Sequence, residues 1–154
     1  MSGVSKNSYI YADNAATTQL SVAAYASMTS FLVDEYGNPS QPYAFSRPAK
    51  RALREARESI ASCINADPGE IVFTSGGTES DNWAIKGFAL RDDMMREIVT
   101  SEIEHHAVLD SCKAMSAIGH RVALLPVSRT GVIALDALRE MSLGDGSLVS
   151  CMYA

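Results

Sequence analysis

From residue 70 onward, short apolar runs alternate with segments long enough to be helices, and that alternation restricts the fold more than any other feature of the chain. The runs are Ile71-Val72-Phe73, Ile98-Val99, Val122-Ala123-Leu124-Leu125 and Leu148-Val149-Ser150-Cys151-Met152. Helices are expected between them at about 78–90, 106–118 and 135–141. Strands that are apolar on both sides and joined by helical crossovers pair in parallel and are covered on both faces. An α/β domain with a mainly parallel sheet is therefore expected. The last run closes the sequence at Ala154 with no return helix. The chain thus reads as cut short at the carboxyl end of a strand, where ligand-binding loops of open parallel sheets begin.

Upstream the pattern is looser. Residues 9–11 suit a short strand, 13–18 a polar loop and 20–34 a weakly patterned helix, and the prolines and glycine of 35–42 make a loop. A clearer helix is expected over 46–64, with Ser46 as N-cap, Pro48 in the first turn, and Ala49, Ala52, Leu53, Ala56, Ile60, Cys63 and Ile64 at helical spacing. The turn Asn65-Ala66-Asp67-Pro68-Gly69 ends it.

Composition narrows the function classes. With 47% hydrophobic and 20% charged residues, the 154-residue chain is globular rather than disordered. Its 13 Lys plus Arg against 18 Asp plus Glu argue against a nucleic-acid binder. The cluster Arg47, Lys50, Arg51, Arg54 and Arg57 is interleaved with Glu55 and Glu58, as on a solvated helix face. No apolar stretch reaches the length of a membrane span and no leader pattern opens the chain, so a cytoplasmic protein without a membrane partner is expected. The three cysteines have no CxxC spacing and indicate neither a disulfide framework nor a zinc site. Cys63, Cys112 and Cys151 read as small core residues, and none lies in a nucleophile motif.

Two segments have the residue types of a site. In Thr74-Ser75-Gly76-Gly77-Thr78-Glu79 a glycine pair stands between an apolar run and a helix. Bare backbone N–H groups and the Thr78 hydroxyl can there converge on an anion at the positive end of the helix dipole. It is neither a P-loop nor a GxGxxG turn. On spacing alone, a phosphate site and a tight turn capped by Thr78 both stand. The second segment is Glu104-His105-His106, which follows Ile98-Val99 and opens a helix. An imidazole at that place is suited to stack on a planar cofactor or to move a proton. Taken by itself, it reads as a hydrogen-bonded histidine at a helix start. Adjacent histidines lack the i, i+4 spacing of a zinc helix, so no metal site is expected.

Tyr11-Ala12-Asp13-Asn14-Ala15-Ala16-Thr17-Thr18, Tyr36-Gly37-Asn38-Pro39-Ser40, Phe73-Thr74-Ser75-Gly76-Gly77-Thr78-Glu79-Ser80-Asp81-Asn82 and Glu104-His105-His106-Ala107-Val108-Leu109 together resemble the cysteine desulfurases, in the NifS/IscS branch of the class V aminotransferase superfamily. The resemblance implies the PLP-dependent transferase type I fold, incomplete in this chain, with residues 1–20 opening the small domain and 21–154 forming the first part of the large, PLP-binding domain. It implies pyridoxal 5'-phosphate (PLP) as cofactor and L-cysteine as substrate. The products would be L-alanine and a persulfide for iron-sulfur cluster or thio-cofactor assembly. A homodimer and a sulfur-acceptor or iron-sulfur scaffold partner are implied as well.

Carried over by position, Gly77 and Thr78 would hold the PLP phosphate, and His105 would stack on the pyridine ring and act in proton transfer. Asn14, Ala15 and Asn38 would lie on the substrate side. His106 inherits no role. Gln19 stands where the family commonly has proline, and Tyr43 where it has histidine. The lysine that binds the cofactor covalently and the persulfide cysteine match no residue of this chain, so the chain alone is expected to be inactive. Residues 71–73 are expected to lack a neighbouring strand, since the family separates that strand from the next three. The alternatives are a non-catalytic truncated paralogue or fragment that at most associates with a full-length subunit, or a related class V enzyme such as a selenocysteine lyase or an aminotransferase.

Overall fold

The computed structural model describes residues 10–144 and 146–153. The chain forms two compact units, residues 1–72 and 73–154.

In the first unit, residues 10–12 are irregular and Asp13 begins a turn, its carbonyl accepting from the Ala16 and Thr17 amides at 3.2 and 3.5 Å. The strand expected at 9–11 is therefore not formed at residues 10 and 11, and Tyr9 lies outside the described residues. Helix α1 (Val22–Val33) starts at Ser21, whose hydroxyl accepts from the Ala24 amide at 3.1 Å. It is apolar all round and none of its residues is buried.

Helix α2 (Arg47–Ile64) begins with Pro48 in its first turn and ends at Asn65, whose φ of 55° is the left-handed cap that asparagine tolerates. Ser46 does stand at the N-cap position, but its hydroxyl caps no helical amide. It turns back on the loop, 2.7 and 2.8 Å from the Gln41 and Tyr43 carbonyls, because it is buried where those carbonyls need a donor. The exposed face of α2 carries the i, i+4 ion pairs Arg51–Glu55 and Arg54–Glu58, the solvated face that the interleaved charges imply.

Gly37 is required by a close approach. A Cβ there would stand 2.7 Å from the Phe45 carbonyl oxygen, where Tyr36 and Phe45 pack edge to face with centroids 5.1 Å apart. Gly37→Ala is expected to destabilise the unit by about 1–3 kcal/mol through backbone overpacking. An unchanged denaturant midpoint would contradict that contact.

In the second unit, α3 (Gly77–Ala89), β1 (Glu97–Ser101), α4 (His106–Ala117), β2 (Arg121–Leu125), α5 (Leu135–Glu140) and β3 (Leu148–Ser150) follow in order. The three strands are parallel, in the order β2-β1-β3. Leu148, Ile98 and Val122 form one row across the sheet and pack with Ile85, Phe88 and Ala89 of α3 and Val108, Cys112 and Met115 of α4. Buried Ile98 alone contributes about 1.5–3 kcal/mol by leaving water. At the amino end of β1 the Arg96 amide donates to His120 Nδ1 at 3.0 Å, joining the chain just before β1 to the chain just before β2.

Residues 71–73 do not form the strand expected there and are not part of this sheet. The expectation of three core cysteines also fails. Only Cys112 is buried, whereas Cys63 is exposed in the last turn of α2 and Cys151 is exposed beyond the end of β3.

Candidate functional site

The direction of the strands sets where the site residues of the second unit stand. The chain leaves α3 by a short loop to the amino end of β1, and α4 begins just after the carboxyl end of β1. With α3 and α4 packed on the sheet, both helix amino termini therefore face its carboxyl edge, the ligand-binding edge of open α/β sheets. Gly77 and His105 share that edge.

At the start of α3 the N-cap is Gly76, in extended backbone, and no side chain caps the helix. Thr78 does not act as the cap. A Cβ at Gly76 or Gly77 would meet nothing within 4 Å, so the turn is open to solvent beside the first amides of α3. Those amides have no intrahelical acceptor and carry the positive end of the dipole.

Neighbouring groups brace the turn. Thr74 Oγ1 donates to the Gly76 carbonyl at 3.2 Å and lies 2.7 Å from Ser80 Oγ. Glu79 folds back so that Oε2 accepts from the Ser75 amide at 2.6 Å and the Ser75 hydroxyl at 2.7 Å. The Ser75 backbone bond, then its hydroxyl bond, lowers the Glu79 carboxyl below its ordinary value. A depressed carboxyl stabilises the turn above its unfolded pKa, and that contribution is lost as pH falls through the folded value. The uncapped amides at the start of α3 have the chemistry to receive an anion with several acceptor oxygens, such as a phosphate.

His105 is the N-cap of α4, and its Nδ1 accepts from the Ala107 amide at 3.1 Å. That bond places the proton of the neutral ring on Nε2. The residue is exposed, with one ring nitrogen engaged in the helix cap. His106 departs from it as the first residue of α4 and lines a groove with Leu109, Lys113, Val122 and Leu124. Among the described residues no three His, Cys, Asp or Glu side chains cluster as a metal site.

The substrate-side candidates belong to the first unit. Asn14 and Ala15 are exposed in the Asp13 turn. Asn38 is exposed, its side-chain oxygen accepting from the Ser40 amide at 3.0 Å. Lys50, Lys86 and Lys113 all lie on helices, and Lys86 is about 13 Å up the axis of α3 from Gly77 at the standard helical rise.

One residue of the carboxyl edge carried no role in the sequence. Glu104 is 8% exposed, and its Oε1 accepts from the Ser101 hydroxyl at 2.7 Å and the Met152 amide at 2.6 Å. The available signal was the Ser-x-x-Glu spacing of 101–104, which resembles a capping box but here closes a turn between strand and helix.

Residues 10–154 match the family described as Aminotransferase class-V. The chain is 42% identical over 150 residues to cysteine desulfurase IscS of Methanosarcina thermophila, a match covering 97% of this chain and 37% of that protein. A NifS-like protein of known structure superposes with a TM-score of 0.84 at 37% identity, over 92% of this chain and 39% of the other. The structure of SspA in complex with cysteine superposes with a TM-score of 0.79 at 35% identity, over 90% and 40% respectively. The chain thus spans well under half the length of these relatives, and its three-stranded parallel sheet with helices is a portion of their α/β fold.

Proposed function

The chain belongs to the aminotransferase class-V family, and on that premise we propose that it forms part of a PLP-dependent cysteine desulfurase, acting on L-cysteine to give L-alanine and persulfide sulfur. In this reading residues 1–20 open the small domain and 21–154 begin the large one. Iron-sulfur cluster or thio-cofactor assembly would consume the sulfur, through an acceptor or scaffold protein, and the working enzyme would be a cytoplasmic homodimer. No helix among the described residues is long and apolar enough to cross a membrane.

The observation that carries the reading is the pairing, on one edge of the sheet, of an uncapped helix start behind two glycines with an imidazole whose Nδ1 is already engaged. PLP, when bound, supplies the electron sink for breaking bonds at the substrate's carbons. The first amides of α3 and the Thr78 hydroxyl would hold its phosphate, at the positive end of the helix dipole. His105 would lay its ring against the pyridine face and exchange its proton at Nε2, while the Ala107 amide keeps the tautomer and orientation constant. Asn14, Ala15 and Asn38 would contact substrate.

The test is a pair of titrations of the chain, with PLP and with pyridoxal. Loss of the phosphate is expected to weaken binding by at least about tenfold, the worth of one or two hydrogen bonds to a charged acceptor. Equal affinities would contradict a phosphate site at α3.

A further inference from the structure

Glu104 has a geometry that the phosphate cradle and the stacked imidazole do not account for. The pairing of β1 with β3 ends at Thr100 and Ser150. Beyond that point the Met152 amide donates to Glu104 Oε1, which also accepts from the Ser101 hydroxyl. On the other side of β1, the Glu102 amide donates to the Leu125 carbonyl at 3.2 Å, extending the contact with β2. The turn leading to His105 is thus fastened to both neighbours of β1, and the fastening toward β3 is a single carboxylate oxygen. A nearly buried carboxylate is an expensive choice for a staple, because burial of its charge must be offset by every donor it meets. Its field also reaches both nearby thiols: after burial, Glu104 is the second cause that raises Cys112 and Cys151 above the usual thiol value.

We propose that Glu104 is a positioning residue, whose carboxylate ties the turn carrying His105 to the chain that follows β3 and so holds the imidazole and that chain in a fixed relation at the carboxyl edge of the sheet. The role attached to the imidazole rests on the functional reading above, whereas the latch itself does not.

Hydrogen exchange and ring ¹⁵N spectra of the cofactor-free chain test the latch in two variants. Glu104→Ala removes the acceptor. The Met152 amide is then expected to exchange about tenfold faster, the worth of one hydrogen bond to a charged group. The His105 ring is expected to leave its single Nε2–H tautomer for a mixture, while Val99 and Ala123 keep their exchange rates. Met152→Pro removes the donor from a segment outside the core and should reproduce the His105 change even where Glu104→Ala folds poorly. Glu104→Gln retains an acceptor oxygen and should restore the tautomer. An unaltered His105 ring in Met152→Pro would overturn the proposal. So would equal acceleration at Met152, Val99 and Ala123 in Glu104→Ala, which would mark a general structural role. Because no cofactor is added, a chain that fails to bind PLP counts against the functional reading and leaves these results standing.

Discussion

PLP and L-cysteine added to the 154-residue chain are expected to yield neither sulfide nor alanine above the rate without protein. In the proposed function the chain would supply groups that hold and orient, whereas the covalent steps need a lysine amine and a thiolate. Lys50 and Lys113 are exposed on α2 and α4, and Lys86 points from the far turns of α3. Cys112 is buried in the core, and burial together with Glu104 pushes its thiol up, which diminishes the nucleophilic thiolate. Cys151 is raised by the same two causes in the same order. Cys63 lies in the first unit, in no motif that the resemblance assigns to sulfur transfer. Removing a nucleophile from a catalytic set costs at least about 10³-fold in rate, so activity should vanish rather than decline. Sulfide release comparable to that of a full-length relative, measured with purified chain, would show that one of these lysines and cysteines does serve.

The second large effect is expected from Gly77→Asp. A Cβ at this position meets nothing within 4 Å, and Gly77 is not among the glycines with positive φ, so the backbone accepts a side chain there. A carboxylate in the first turn also favours the helix dipole, so the melting temperature should hold or rise. The same carboxylate would stand where the phosphate is expected. Like charges brought together at a binding surface cost several kcal/mol, so PLP affinity should fall by at least about 100-fold while the fold persists. Stability and binding are thus driven in opposite directions, which separates the site from the scaffold. Undiminished PLP affinity in this variant would place the phosphate elsewhere.

What was legible in the sequence follows from the range of the forces involved. Helices α2, α3 and α4 repeat their apolar residues at helical spacing, a local signal, and the structure sets their ends within two residues of the expected ones. The parallel sheet was legible because each crossover has the length of a helix. Residues 71–73 were misread as a strand since strand character depends on a neighbour, which no local pattern reveals. Ser46 shows the same limit: its position at the start of α2 was legible, but the Gln41 and Tyr43 carbonyls that capture its hydroxyl were not. Burial of the cysteines failed likewise, because a small thiol suits a core or a surface equally, and only Cys112 falls on the packed face of a helix. Among the candidate site residues, the glycine pair and the Glu-His-His segment stood out in the sequence, but the roles of Gly77, Thr78 and His105 came only from the resemblance; Glu104 was missed because its partner Met152 is distant in sequence.

The central claim is that the start of α3 and the imidazole at the start of α4 form the phosphate and ring portions of one cofactor site. Adding PLP to the isotopically labelled chain tests it residue by residue. The account predicts that the Gly77 and Thr78 amides and the His105 ring undergo the largest shifts, together and at one ligand concentration. Shifts confined to other residues, with Gly77, Thr78 and His105 unmoved, would contradict it.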